Sequence, residues 1–433
     1  MKRWSSGQIL QLARHALVQN TIAMGLVQAG TGFVPLVTVP YLARVLGVAG
    51  WGLVAFAQSF GAYMSVFGDY GFALSATREV ARHRDDHEKL AEIVAGVLGA
   101  KTLLAAGMIA VAFGVQRWVP IFRDNPLLLW AGLFCALART SSMIWYFQGR
   151  ERMRLVAWVD IVTQILAAIA IFVLVKKPAD GWRALGLQGL GYLFSFFIGL
   201  ALTYREVSAR VPIWRSTWEA LRMGWSMFLF RGSVSLYTAG NAFILGLFVS
   251  PVWVGYYAGA EKISRAFLNL LNPINQALYP RLSHLVYHAR ERAVRLARVA
   301  IAVMGCGGVA LGALVFALAP LLVRVILGKG YEHAVPVLRI LALLPPLIAL
   351  SNVYGIQWML PLGMDRAFNA IIVIAGVINI GLAIALAPVY LASGMAWSVV
   401  SAEIFVTASI YALLRWRKLD PMNYSPQAVG EEV

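Results

Sequence analysis

Seven basic residues, Arg44, Lys101, Arg139, Arg231, Lys262, Arg265 and Arg339, stand inside stretches otherwise fit for hydrocarbon. Four acids share those stretches: Asp69, Asp160, Glu261 and Glu403. A charge at the centre of a bilayer costs about 2.5–3.5 kcal/mol on insertion scales, so each must pair, snorkel or face water. An excess of cations at depth predicts a hydrated passage with a positive field. Such a field suits an anionic solute, and a guanidinium grips phosphate oxygens through two parallel hydrogen bonds. The candidate substrate-binding residues are therefore Arg44, Arg139, Arg231, Lys262 and Arg265. Arg139 precedes the polar trio Thr140, Ser141 and Ser142, and Arg231 precedes Ser233, Ser235, Tyr237, Thr238 and Asn241.

The acids suggest coupling. A membrane carboxylate can carry a proton across or help hold Na⁺. Asp69 and Glu403 are the candidates for that role. Plainer readings stand beside these. Lys101 and Arg339 are near enough to span ends to snorkel. Glu261 and Arg265 are four apart and would pair on one helix face. Asp69 and Glu403 could simply neutralise a neighbouring arginine.

The elements that position these residues follow from composition. Of 433 residues, 60% are hydrophobic and 13% charged. Apolar runs of about 20 residues recur along the chain, each long enough to cross about 30 Å of hydrocarbon. Only helices and closed barrels pair their backbone groups internally in lipid, and the ten-residue alternation of a barrel is absent. The fold class is an all-α polytopic membrane protein with about 12 transmembrane helices. Their approximate positions are 17–46, 51–77, 93–115, 127–148, 155–175, 185–204, 223–249, 252–279, 299–323, 334–362, 367–387 and 391–414. The span 334–362 carries Pro345, Pro346 and Pro361 and should be bent or split.

The net charge of +17 would suggest nucleic acid in a soluble chain. Here it reads as basic loops facing an anionic leaflet, with no nucleic-acid partner. With the N-terminus inside, inner segments carry 23 Lys and Arg and outer segments carry 7. That asymmetry places both termini in the cytoplasm. Cys135 and Cys306 lack metal-ligand spacing and read as packing residues. The aromatics Trp145, Tyr146, Phe147, Trp225, Tyr256, Tyr257 and Trp358 read mostly as packing or interface belts. No metal, cofactor or catalytic triad is expected.

The chain also looks duplicated. Tyr41–Arg84 lies on Ile244–Tyr287 with a constant offset of 203, which sets Gly52 on Gly255 and Arg78 on Arg281. A second echo, glycine–any–acid–arginine, occurs at Gly149, Glu151 and Arg152 and again at Gly363, Asp365 and Arg366. The expected organisation is a six-helix lobe over 1–206, a cytoplasmic connection over 207–222, a second six-helix lobe over 223–416 and a cytoplasmic tail over 417–433. A central cavity between the lobes, near the midplane, would hold the substrate.

The segment P-Y-L-A-R-V-L-G-V-A-G-W-G-L (Pro40–Leu53), followed by G-D-Y-G-F-A-L-S-A-T-R-E-V-A (Gly68–Ala81), resembles the N-terminal signature of Wzx-type polysaccharide-unit flippases. Q-G-R-E-R-M (Gln148–Met153) fits the same family, which lies in the multidrug/oligosaccharidyl-lipid/polysaccharide superfamily. Arg44, Arg78, Gly47, Gly52, Gly68 and Gly71 match the signature. The resemblance implies a V-shaped bundle of six plus six helices in the bacterial inner membrane. It implies alternating access that moves an undecaprenyl-diphosphate-linked oligosaccharide, an O-antigen or exopolysaccharide repeat unit, to the periplasmic leaflet. Coupling to H⁺ or Na⁺ is one option, and passive, concentration-driven passage is the other. A polymerase and a chain-length regulator of the same pathway are candidate partners.

Two other readings compete. A cation-coupled multidrug exporter of the same superfamily should have a more acidic interior than seven cations to four acids. A membrane-embedded polysaccharide polymerase or ligase should carry a large outer loop with catalytic residues, and the longest outer loops here are about a dozen residues. Neither fits as well as a transporter that is not an enzyme.

Overall fold

The computed structural model describes residues 6–423, apart from the side chains of residues 6–33, 36, 230, 231, 233, 234 and 236–238. No strand occurs among the described residues. The helices are α1 (Ser6–Asp69), α2 (Phe72–Arg82), α3 (His87–Trp118), α4 (Pro120–Asp124), α5 (Pro126–Thr140), α6 (Ile144–Gly149), α7 (Met153–Leu174) and α8 (Gly181–Glu206). They continue as α9 (Trp214–Thr238), α10 (Asn241–Gly246), α11 (Pro251–Leu268), α12 (Asn272–His288), α13 (Arg290–Leu322), α14 (Ala334–Leu341), α15 (Leu344–Ser351) and α16 (Asp365–Trp416). Among the described residues, eight helical runs are long and apolar enough to cross a membrane. The chain is a multi-pass membrane protein.

Two of those runs exceed one crossing. Val37–Arg82 has 46 residues and Asp365–Trp416 has 52, and at 1.5 Å per residue each is long enough for two passages of about 30 Å. Both are interrupted where the sequence reading separates two spans. Gly47 breaks α1 at φ 67°, a left-handed conformation that favours glycine. Leu391 breaks α16 at φ 55°, and Gly394 lets the chain close back to 2.3 Å from the Leu386 carbonyl oxygen, measured from where its Cβ would stand. The proline-bearing span is split as expected: α14 ends at Leu341, α15 starts at Leu344, and a wide-turn π segment follows over Asn352–Met359. Helix starts follow local chemistry. Asp86 caps α3 by accepting from the Lys89 amide at 2.9 Å, and Pro126 and Pro251 occupy first-turn positions of α5 and α11, where no amide is needed.

The described residues form two compact units. The first contains the chain up to Leu46 together with Ala57–Gly232, and the second contains Gly47–Phe56 and the chain from Ser233. In the first, α8 packs along α5 and α7, and α2 packs on α6. Glycines permit close approach: a Cβ on Gly61 would lie 3.1 Å from the Gly132 carbonyl oxygen, and one on Gly132 would lie 3.1 Å from that of Ala57. Its core holds Phe72, Trp145, Tyr146 and Phe147. In the second, α13 packs on α15, and α11, α14 and α16 pack together. Its core holds Trp358, Met359 and Ile410. Of the aromatics singled out above, Trp145, Tyr146, Phe147, Tyr256, Tyr257 and Trp358 are buried, whereas Trp225 is exposed.

The Q-G-R-E-R-M stretch has a structural task in the first unit. Glu151 takes φ 56° in the turn between α6 and α7 and pairs with Arg84 at 2.8 Å. Arg150 and Arg152 both reach Glu206 at the end of α8, at 3.3 and 3.2 Å, and the Tyr146 hydroxyl donates to the same carboxylate at 3.1 Å. Arg150 also donates to the Arg84 carbonyl. The network ties the α2–α3 turn, the α6–α7 turn and the end of α8 to one another.

Candidate functional site

In the first unit the polar residues gather where α5 stops short. Thr140 and Ser141 turn their hydroxyls back onto the carbonyls of Ala136, at 3.0 Å, and Leu137, at 2.8 Å. The chain resumes as α6 four residues later. Such a break leaves carbonyls without intrahelical partners, which hydrocarbon does not tolerate. Lys101 on α3 supplies partners: its ammonium donates to the carbonyls of Thr140 at 2.7 Å and Ser142 at 3.2 Å. A cation at a helix C-terminus also complements the helix dipole. Asp69, at the end of α1, acts electrostatically on Lys101. The neighbouring Gly68 sits so close that a Cβ there would be 2.8 Å from the Thr140 hydroxyl oxygen. Lys101 fastens the broken helix.

Arg139 lies in the last turn of α5 with its side chain exposed. Its charge acts on Cys135 one turn earlier and on Tyr192 of α8. Arg44, on α1, is also exposed. The Arg231 side chain lies outside the described residues. A second acid in this unit, Asp160 on α7, accepts a hydrogen bond from the Ser195 hydroxyl of α8.

In the second unit the Glu261–Arg265 pair expected from spacing forms at 2.9 Å on α11. Lys262 beside it is half-buried, and Arg265 keeps 51% of its side-chain surface accessible. Glu403 of α16 is buried and accepts from the Ser351 hydroxyl at 2.7 Å. Thr407, one turn on, donates to the Glu403 carbonyl at 2.9 Å. Asn379 donates to Asn241 at 3.1 Å, and both side chains are buried.

The membrane acids thus fall into two chemical groups. Asp69 and Glu261 have cationic neighbours, Lys101 and Arg265. Asp160 and Glu403 have serine hydroxyls. The sequence reading grouped Asp69 with Glu403 as coupling candidates, and their surroundings separate them. Sequence alone gives Asp160 no role. The signal for it is Ser195, the one hydroxyl in the apolar run Tyr192–Ile198 apart from the tyrosine that opens it. The partners of Lys101 are backbone carbonyls, which sequence does not reveal.

Comparison with known proteins sets this architecture in context. Residues 17–286 match the family model described as "Polysaccharide biosynthesis protein". The chain is 31% identical over 406 residues to a protein of Escherichia coli (strain K12) named "Putative O-antigen transporter", covering 93% of this chain and 98% of that one. Among solved structures, it is similar to "Lipid II flippase MurJ, inward closed conformation", with a TM-score of 0.60 and 12% identity over 92% of this chain and 87% of that one. It is similar also to an inward-facing multidrug resistance MATE family transporter of the MOP superfamily, with a TM-score of 0.61 and 14% identity over 91% of this chain and 99% of that one. At such identities the two structures speak for the fold alone. The family match covers more than half the chain, and the E. coli relative aligns along nearly all of it: this chain belongs to the polysaccharide biosynthesis protein family.

Proposed function

We propose that the chain moves an undecaprenyl-diphosphate-linked oligosaccharide, an O-antigen or exopolysaccharide repeat unit, from the cytoplasmic to the periplasmic leaflet of a bacterial inner membrane. The observation that carries this reading is the near full-length, 31% identity to a relative named for O-antigen transport. The chemistry of the spans supports it. A diphosphate needs hydrated cations at depth, and Arg44, Arg139, Lys262 and Arg265 supply them, with Arg231 as a fifth. The prenyl tail needs only lipid. Alternating access of these residues to the two leaflets moves the head without making or breaking a covalent bond, so the protein acts as a transporter and not as an enzyme.

The excess of basic residues in one set of loops supports cytoplasmic termini. A polymerase and a chain-length regulator of the same pathway are the proposed downstream partners. Glu403 is the better of the two coupling candidates, because its Ser351 hydroxyl partner can donate to a carboxylate and accept from a carboxylic acid. Deleting the gene tests the function: lipid-linked repeat units should accumulate and surface polysaccharide should disappear. Normal surface polysaccharide in the deletion strain would refute the assignment.

A further inference from the structure

Asp160 sits about two turns into α7, inside a run of 22 residues apolar enough to cross a membrane. Its neighbour across the helix interface is Ser195 of α8, a buried residue whose hydroxyl donates to its carboxylate. No ion pair with Asp160 forms among the described residues. One turn along α7, the Gln164 side-chain amide nitrogen is buried without a hydrogen-bond partner. Gly191 of α8 makes the room: a Cβ there would lie 3.3 Å from the Gln164 amide and 3.1 Å from the Thr163 carbonyl oxygen. The charged and titratable groups around the site are Tyr192 on α8, which interacts with Asp160, and Arg139 and Cys135 on α5, which also act on Tyr192.

The chemistry of the partners is the informative part. Lysine and arginine only donate, so they serve an ionised carboxylate and are left facing a donor when it is protonated. A serine hydroxyl donates to a carboxylate and accepts from a carboxylic acid, and a glutamine amide offers both functions as well. The Ser195 hydroxyl can therefore satisfy Asp160 in either state. The same holds for Glu403 and Ser351 in the second unit. A carboxylate kept in an apolar span is costly, and such residues mark functional sites.

We propose that Asp160 is a proton-carrying residue of the first unit, taking one proton from water and returning it, with Ser195 as its hydrogen-bond partner in both states. The step forms and breaks a single O–H bond and needs no other reactant. It goes beyond the transport reading, which assigns this residue nothing, and it does not depend on the identity of the transported lipid.

The test is difference infrared spectroscopy of the purified full-length protein, without substrate, across a pH titration. Carboxylic acid and carboxylate absorb separately. The chain has 20 Asp and Glu residues, so the Asp160→Asn titration is subtracted from that of the wild type, and the difference should leave the signal of one carboxyl. In Ser195→Ala that carboxyl should persist, with its proton affinity changed several-fold, because a charge-assisted hydrogen bond is removed. If Asp160→Asn does not fold, Ser195→Ala alone decides. Titrations identical to wild type in every variant that folds would overturn the proposal. Because no lipid is present, a failed flipping assay would leave this result standing, and the reverse holds too.

Discussion

Gly52 and Gly255 lie back to back in the second unit: a Cβ on Gly52 would stand 2.8 Å from the Gly255 nitrogen and 1.8 Å from the Pro251 carbonyl oxygen. Reciprocally, a Cβ on Gly255 would stand 2.2 Å from the Val48 carbonyl oxygen. The offset of 203 carries Gly52 onto Gly255 and Val48 onto Pro251. The contact thus joins positions that the internal sequence repeat pairs. Gly52→Ala or Gly255→Ala should each lower the unfolding temperature in detergent, with a cost of about 1–3 kcal/mol from overpacking. The double variant should cost less than both together, since one opening relieves both clashes. Unchanged melting of the single variants would show that the backbones part without penalty.

Lys101 should be indispensable to the first unit in a way that depends on Asp69. Lys101→Met leaves the Thr140 and Ser142 carbonyls without their donor, and each polar group left unsatisfied away from water costs about 1–3 kcal/mol. Lys101→Met with Asp69→Asn should recover part of that loss. The check is a double-mutant cycle on thermal stability. Additive effects would mean that the two residues do not interact.

The Arg84–Glu151 pair makes a smaller prediction. Hydrogen bonding to Arg84 holds the Glu151 carboxyl below the ordinary glutamate range. Its contribution is fully present above that ordinary range and is lost as the pH falls through the lower folded value. The pair is largely exposed, with 37% and 64% of the side-chain surfaces accessible, so Glu151→Gln should cost under about 1 kcal/mol at neutral pH. Glu151→Gly should cost less than Glu151→Gln, because φ 56° suits glycine. Melting curves at pH 7 and in acid, for wild type and both variants, measure this directly.

These cases also show what the sequence could disclose. Hydrophobic run lengths and glycine or proline punctuation located most helices and the breaks at Gly47 and near Leu391. The Glu261–Arg265 pair was legible because helical spacing alone decides it. What stayed hidden depends on tertiary neighbours. Lys101 binds carbonyls 39 and 41 residues away, and Asp160 meets a serine 35 residues away. Neither spacing has a helical period, so the chemistry of each residue is readable only once its partner is in place.

Glu403→Gln separates coupling from folding. Glutamine keeps an oxygen for the Ser351 hydroxyl but does not take up a proton. The variant should fold with a melting temperature near wild type. Its transport should no longer respond to an imposed proton gradient in vesicles. Gradient-driven transport equal to wild type would remove Glu403 from the coupling scheme.

The central claim is that cations held within apolar spans carry a diphosphate head across the bilayer. The most direct measurement is translocation of an undecaprenyl-diphosphate-linked oligosaccharide between the leaflets of vesicles containing the purified protein, comparing wild type with Arg139→Ala and Arg265→Ala. The account predicts rapid translocation by wild type and at least a tenfold loss in each variant at equal amounts of folded protein, about 1.4 kcal/mol of lost interaction. Wild-type rates in both variants would contradict it.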